Sequence, residues 1–121
     1  MKTILVADDS LVAQLSLAHI LQEAGYQVHV VENGQEALDF LRSHGVDLLI
    51  SDIAMPLLNG LALLRMIRND ESLPALPIIM ATGTEEQITK ALTSGANLVL
   101  TKPVSSWQVL DSVSQILGVA S

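Results

Sequence analysis

Apolar residues in this chain follow two alternating patterns. Some form short runs of strand length: residues 4–7, Val28 with Val30 and Val31, residues 46–51, residues 77–81 and Leu98–Thr101. Elsewhere they return every three or four positions, the period of a helix with one buried face. Most of the short runs are continuous rather than alternating, as expected of strands covered on both faces in a parallel sheet. Leu11, Leu15, Ala18 and Leu21 predict the buried face of a first helix, with Gly25 as its stop. Asn33 is placed to cap a second, whose face is Ala37, Leu38 and Leu41 and whose end is Gly45. Met55-Pro56 and Asn59-Gly60 break the chain before a third, carrying Leu63, Leu64 and Ile67. Pro74 and Pro77 bound the loop into the fourth strand. Thr84 with Gln87 matches a capping box for a fourth helix that ends at Gly95, and Ser105 with Gln108 matches another for a fifth, with face Trp107, Leu110, Val113 and Leu117. Residues 119–121 read as a free tail. Five strand–helix units predict an α/β fold, a doubly wound parallel sheet, and they use residues 1–121 as one domain with no room for an effector.

Chemistry gathers where four of these runs end. The first runs into Asp8 and Asp9, the third into Asp52, the fourth into Thr82 and the fifth into Lys102. In an open parallel sheet, ligands bind outside the carboxyl ends of the strands, so these side chains are expected in one crevice. Two carboxylates about 5 Å apart repel by roughly 3 kcal/mol at an effective dielectric near 20, and a third raises the demand for a cation. An oxygen-only donor set without cysteine or clustered histidine favours Mg²⁺, with Mn²⁺ possible, over Zn²⁺. Asp52 can act as metal ligand, as carboxylate nucleophile, or both. An aspartyl phosphate would have its charge offset by Lys102 and receive a hydrogen bond from the Thr82 hydroxyl. Taken singly, each residue has a plainer reading: Asp8, Asp9 or Ser10 as the cap of the first helix, Asp52 as a loop cap, Thr82 as a turn former near Gly83, Lys102 as an exposed strand-end charge. His19, His29 and His44 share no spacing and read as solvated surface residues.

Composition narrows the partners. Thirteen acids against six bases give a net charge of −7, which repels nucleic-acid backbones and anionic membranes. Half the residues are hydrophobic while Phe40, Tyr26 and Trp107 are the only aromatics, so the core is aliphatic. The apolar run after Met1-Lys2-Thr3 is too short for a signal-peptide core, and no run approaches a membrane span. A soluble cytoplasmic protein is the expectation.

Asp8-Asp9, the segment 52–56 with Asn59-Gly60, Thr82, Gly95-Ala96 and Lys102-Pro103 together resemble the receiver domain of two-component response regulators, over residues 2–117. The resemblance implies a flavodoxin-like five-stranded sheet of order 2-1-3-4-5 with five helices. It implies Asp52 as phosphoacceptor, taking a phosphoryl group from a histidine kinase or phosphotransfer protein. It further implies that Asp9, Asp52 and the Ala54 carbonyl ligate Mg²⁺, that Asp8 holds a metal-bound water, and that Lys102 pairs with the carboxylate or phosphoryl group. The Lys102–Pro103 bond would be cis, and output would pass to another protein, or a second copy, on the face of helix four, strand five and helix five. Such a domain catalyses its own phosphorylation and dephosphorylation and turns over no separate metabolite.

Departures from the family pattern bear on output. Val99 stands where an aromatic ring usually reports phosphorylation, Val104 where phenylalanine follows Lys-Pro, and Asn59 where an acid precedes the glycine. Ala54 and Thr84 occupy the positions that tune access of the hydrolytic water. Leu98 and Val99, with Trp107, are expected either to form an apolar edge for a partner or to pack under helix four or five. Two other functions compete: a receiver-like interaction module that is never phosphorylated, and a phosphatase with an aspartyl-phosphate intermediate. The second usually needs an acid two residues after the nucleophile, where this chain has Ala54.

Overall fold

A computed structural model describes residues 1–73 and 75–118. The expectations placed on Pro74 and on residues 119–121 lie outside the described residues. Five strands alternate with five helices: β1 Thr3–Ala7, α1 Leu11–Glu23, β2 Gln27–Val31, α2 Gly34–Ser43, β3 Leu48–Asp52, α3 Gly60–Asn69, β4 Ile78–Thr82, α4 Glu85–Thr93, β5 Leu98–Thr101 and α5 Ser106–Leu117. All pairings are parallel and the order is β2-β1-β3-β4-β5, the flavodoxin-like arrangement. Strand order reverses between β1 and β3, which opens a crevice above their carboxyl ends.

The three central strands are buried on both faces, and successive residues feed two different cores. Leu5, Leu49, Ile78 and Met80 pack with Leu38, Leu63, Leu64 and Ile67 beneath α2 and α3. Ile4, Val6, Ile50 and Ile79 pack with Leu21, Val109 and Val113 beneath α1 and α5. Side-chain caps start all five helices, although the box expected at α4 from Thr84 and Gln87 is only half formed. Asn33 caps α2, and the Asn59 side chain accepts the Ala62 N–H at 2.9 Å to cap α3. At α5 the capping box is complete.

Four expectations need correction. Leu11 and Leu15 are 66% and 63% exposed, so the buried side of α1 is formed by Leu21 with Leu17 and Ala24. Trp107 is 71% exposed, and α5 buries Val109, Ser112 and Val113 instead. Both helices hold more apolar residues than one face accommodates, and the sheet decides which stripe it covers. β3 begins at Leu48, with Val46 and Asp47 outside the ladder, and runs on through Asp52. His29 and His44 are exposed, but they are not free in solvent: both rings stack on Phe40, with centroids 4.2 and 4.1 Å from its ring.

Candidate functional site

The crevice is walled by the loops after β1, β3, β4 and β5. At its base Asp8 is buried and Asp52 nearly so, whereas Asp9 stands in solvent at the rim. Asp8, Asp9 and Asp52 each offer one carboxylate oxygen within 4.8 Å of the others. Of the three residues that could cap α1, Ser10 does so and Asp8 and Asp9 do not. Ser10 caps α1, accepting the Ala13 N–H at 3.3 Å, and Asp8 accepts the Ser10 N–H at 2.9 Å. Asp52 accepts only the N–H of the next residue, Ile53, at 2.8 Å among backbone donors.

Lys102 supplies the cation. Its Nζ lies 3.1 Å from Asp52 Oδ2 and 3.4 Å from Asp8 Oδ2, and its side chain is 37% exposed. Burial holds the Asp52 carboxyl above the usual carboxylate value; Lys102 opposes that shift and the Asp8 charge adds to it. For Lys102, burial alone would lower the ammonium, but the contacts with Asp52 and Asp8 outweigh it and hold it above its ordinary value. The Lys102 shift follows from two carboxylates facing a single ammonium, whereas the Asp52 shift is chiefly the cost of burying its charge, which one ammonium does not fully offset. The geometry fits a divalent cation among oxygen donors, since three carboxylates against one ammonium leave the cleft net negative.

Not every expected residue joins this cluster. Thr82 is buried at the end of β4, and its carbonyl accepts the Lys102 N–H at 2.7 Å. Its hydroxyl, however, accepts the Thr84 N–H at 3.4 Å. Ala54 lies exposed in the β3–α3 loop. The Lys102–Pro103 bond is cis. Leu98 and Val99 are half-buried against the two cores, so neither forms an open apolar edge; Trp107 and Leu92 are the exposed apolar residues of α5 and α4.

Two structural supports were not legible beforehand. Gln14 Nε2 donates to the Asp8 carbonyl at 2.6 Å, pinning the β1–α1 turn from the second turn of the helix. Gly60 donates its N–H to the Ile53 carbonyl at 2.8 Å and brings α3 against the backbone of Asp52. A turn glycine was evident at Gly60, but its contact with Asp52 depends on the way the loop folds back.

Comparison with known proteins gives this arrangement a family. Residues 4–114 match the response regulator receiver domain. The chain belongs to that family. It is 33% identical to protein PilH of Pseudomonas aeruginosa, over 98% of this chain and 99% of that one. Its fold superposes on the chemotaxis response regulator CheY4 of Vibrio cholerae with a TM-score of 0.90, at 30% identity and covering 97% and 99% of the two chains. The receiver domain of the sensor histidine kinase PA1611 from Pseudomonas aeruginosa matches with a TM-score of 0.89, at 27% identity over 97% of this chain and 98% of that one; there a magnesium ion is coordinated in the active-site cleft. Receiver domains are signalling modules of two-component systems, and phosphoryl acceptance is the activity the family implies. Among the described residues, no helix is long and apolar enough to cross a membrane.

Proposed function

We propose that this receiver domain accepts a phosphoryl group on Asp52 from a histidine kinase or phosphotransfer protein and thereby switches its contacts with another protein. The observation that carries this reading is the nearly buried Asp52 carboxylate, 3.1 Å from Lys102 and clustered with Asp8 and Asp9 at the sheet's switch point. An Asp52 oxygen attacks the phosphorus of the donor phosphohistidine, the P–N bond breaks, and the electron pair leaves with the imidazole. Lys102 then faces an acyl phosphate in place of a carboxylate and offsets its added charge. Thr82 turns its hydroxyl to donate to a phosphoryl oxygen.

Asp8, Asp9 and Asp52, with the Ala54 carbonyl, are the groups that would hold Mg²⁺. When bound, the ion supplies positive charge that lets a phosphoryl group approach three carboxylates. Hydrolysis by water at phosphorus returns Asp52, so the domain acts on itself and on no separate metabolite. This donor chemistry belongs to the cytoplasm, and output passes through the side of α4, β5 and α5, where Trp107 and Leu92 are exposed. Whether that contact is with another protein or a second copy is set by the same face.

Intact mass after incubation with acetyl phosphate, with and without Mg²⁺, tests the assignment. A Mg²⁺-dependent gain of one phosphoryl group, absent in Asp52→Asn, is expected. A folded protein that gains no mass under any condition would leave an unphosphorylated interaction module as the better reading.

A further inference from the structure

Two helices of this protein begin with the same kind of signal and are completed differently. In α5, Gln108 N–H donates to Ser105 Oγ at 3.2 Å, and Ser105 N–H donates back to Gln108 Oε1 at 3.0 Å. Both halves of the box are closed. In α4 the first half is present, with Gln87 N–H donating to Thr84 Oγ1 at 3.3 Å. The second half is missing, because Thr84 N–H donates to Thr82 Oγ1 at 3.4 Å. Gln87 Oε1 is left buried without a hydrogen-bond partner, the one such side-chain atom among the described residues.

A buried amide oxygen without a donor is an uncommon and costly state. Its natural donor is held two residues from the phosphorylation cleft by a long, weak bond to Thr82. We propose that the Thr84 N–H exchanges partners, from the Thr82 hydroxyl to the Gln87 side chain, and that this exchange carries the state of Asp52 into α4. The inference rests on Asp52 as phosphoacceptor. When Thr82 turns to donate to a phosphoryl oxygen, it releases the Thr84 N–H. Gln87 Oε1 then accepts that N–H and closes the box, so the α4 end gains a satisfied acceptor as the cleft gains a donor. Each arrangement is discrete, which suits a two-state switch. The route needs no ring at Val99, a short side chain packed against the core beneath α4. Gln87 is a positioning residue in this scheme and touches no phosphoryl group.

The test follows the Thr84 amide by ¹⁵N NMR and hydrogen exchange, with intact mass measured on the same samples. Without a phosphodonor, Thr82→Val should slow Thr84 exchange about tenfold relative to wild type, the worth of roughly one hydrogen bond. Adding Gln87→Ala should abolish the slowing, and Gln87→Glu should retain it. With acetyl phosphate and Mg²⁺, wild type should show the same slowing, while Gln87→Ala gains the phosphoryl mass without it. Equal Thr84 exchange in Thr82→Val and in the Thr82→Val/Gln87→Ala double variant would overturn the proposal. So would slowing that survives in phosphorylated Gln87→Ala. If wild type gains no mass, the phosphoacceptor reading fails and the signalling role falls with it, whereas the unphosphorylated Thr82→Val pair separately decides whether the bond exchange exists.

Discussion

Replacing Gly60 with alanine asks whether the chain can place Asp52 without a bare backbone beneath it. A methyl group there would overlap the Asp52 carbonyl oxygen and lie 2.7 Å from Met80 Cε and 2.9 Å from Ile53 Cα. The end of Met80 can move aside. The Asp52 backbone cannot move cheaply, because β3 is paired with β1 on one side and β4 on the other. Overpacking of this kind costs about 1–3 kcal/mol, and occasionally more where backbone must shift. Alanine recovers up to about 1 kcal/mol of that through its better helix propensity and the stiffer unfolded chain. A net loss of about 2 kcal/mol is expected, which lowers the urea midpoint by roughly 1–2 M at the slopes usual for small domains. Gly45→Ala is the control, since a methyl there meets nothing within 4 Å and the residue has no positive φ. It should leave the midpoint unchanged or raise it slightly. The displaced atom belongs to Asp52, so phosphorylation by acetyl phosphate should slow in Gly60→Ala as well. A Gly60→Ala midpoint within about 0.3 M of wild type would refute the steric reasoning. Lost stability with an unchanged phosphorylation rate would show that α3, rather than β3, absorbs the strain.

Further outcomes are expected from charge and packing. Because native Asp52 binds a proton more readily than the unfolded chain does, its charge opposes folding at neutral pH, and the penalty is relieved as pH falls toward the native value. In chelator, the stability of wild type relative to Asp52→Asn should therefore rise as pH is lowered from neutrality through the native Asp52 value, as read from urea midpoints; a flat difference would contradict the burial argument. Lys102 is raised as well, but as a cation it is charged when protonated, so its contribution is complete at neutral pH and is lost only as pH rises through a native value above 10.5. Arg68 donates to the Leu76 carbonyl at 2.6 Å, the Gly95 carbonyl at 3.0 Å and Asn97 Oδ1 at 2.9 Å, binding the segment before β4 and the α4–β5 turn to α3. Arg68→Ala should cost about 2–3 kcal/mol, visible as a fall of roughly 10 °C in a thermal melt, and lysine should not rescue it. Leu21→Ala should cost about 2–5 kcal/mol while Leu15→Gln stays within about 0.5 kcal/mol, and a large loss from Leu15→Gln would mean that α1 buries the opposite stripe.

Features that depend on near neighbours along the chain are legible from the residues alone. Runs such as residues 4–7 and Leu98–Thr101 had to become strands, Asn33 and Ser105 had to start helices, and the groups after β1, β3, β4 and β5 had to meet at one edge of a parallel sheet. Asp8, Asp9, Asp52 and Lys102 do meet there. Tertiary structure decided the rest, wherever several groups compete for one partner or one surface. α1 is apolar around much of its circumference, so only the sheet beneath could select Leu21 and leave Leu11 and Leu15 in solvent. The Thr84–Gln87 signal is as good locally as Ser105–Gln108, yet Thr82 arrives from β4 as a rival acceptor and leaves the α4 box half closed. His29 and His44 meet on Phe40 because β2 lies beside α2, a proximity absent from their spacing. Backbone propensity and binary pattern are local free energies that add along the chain, whereas a side chain's final partner is the outcome of competition among groups brought together only by the fold.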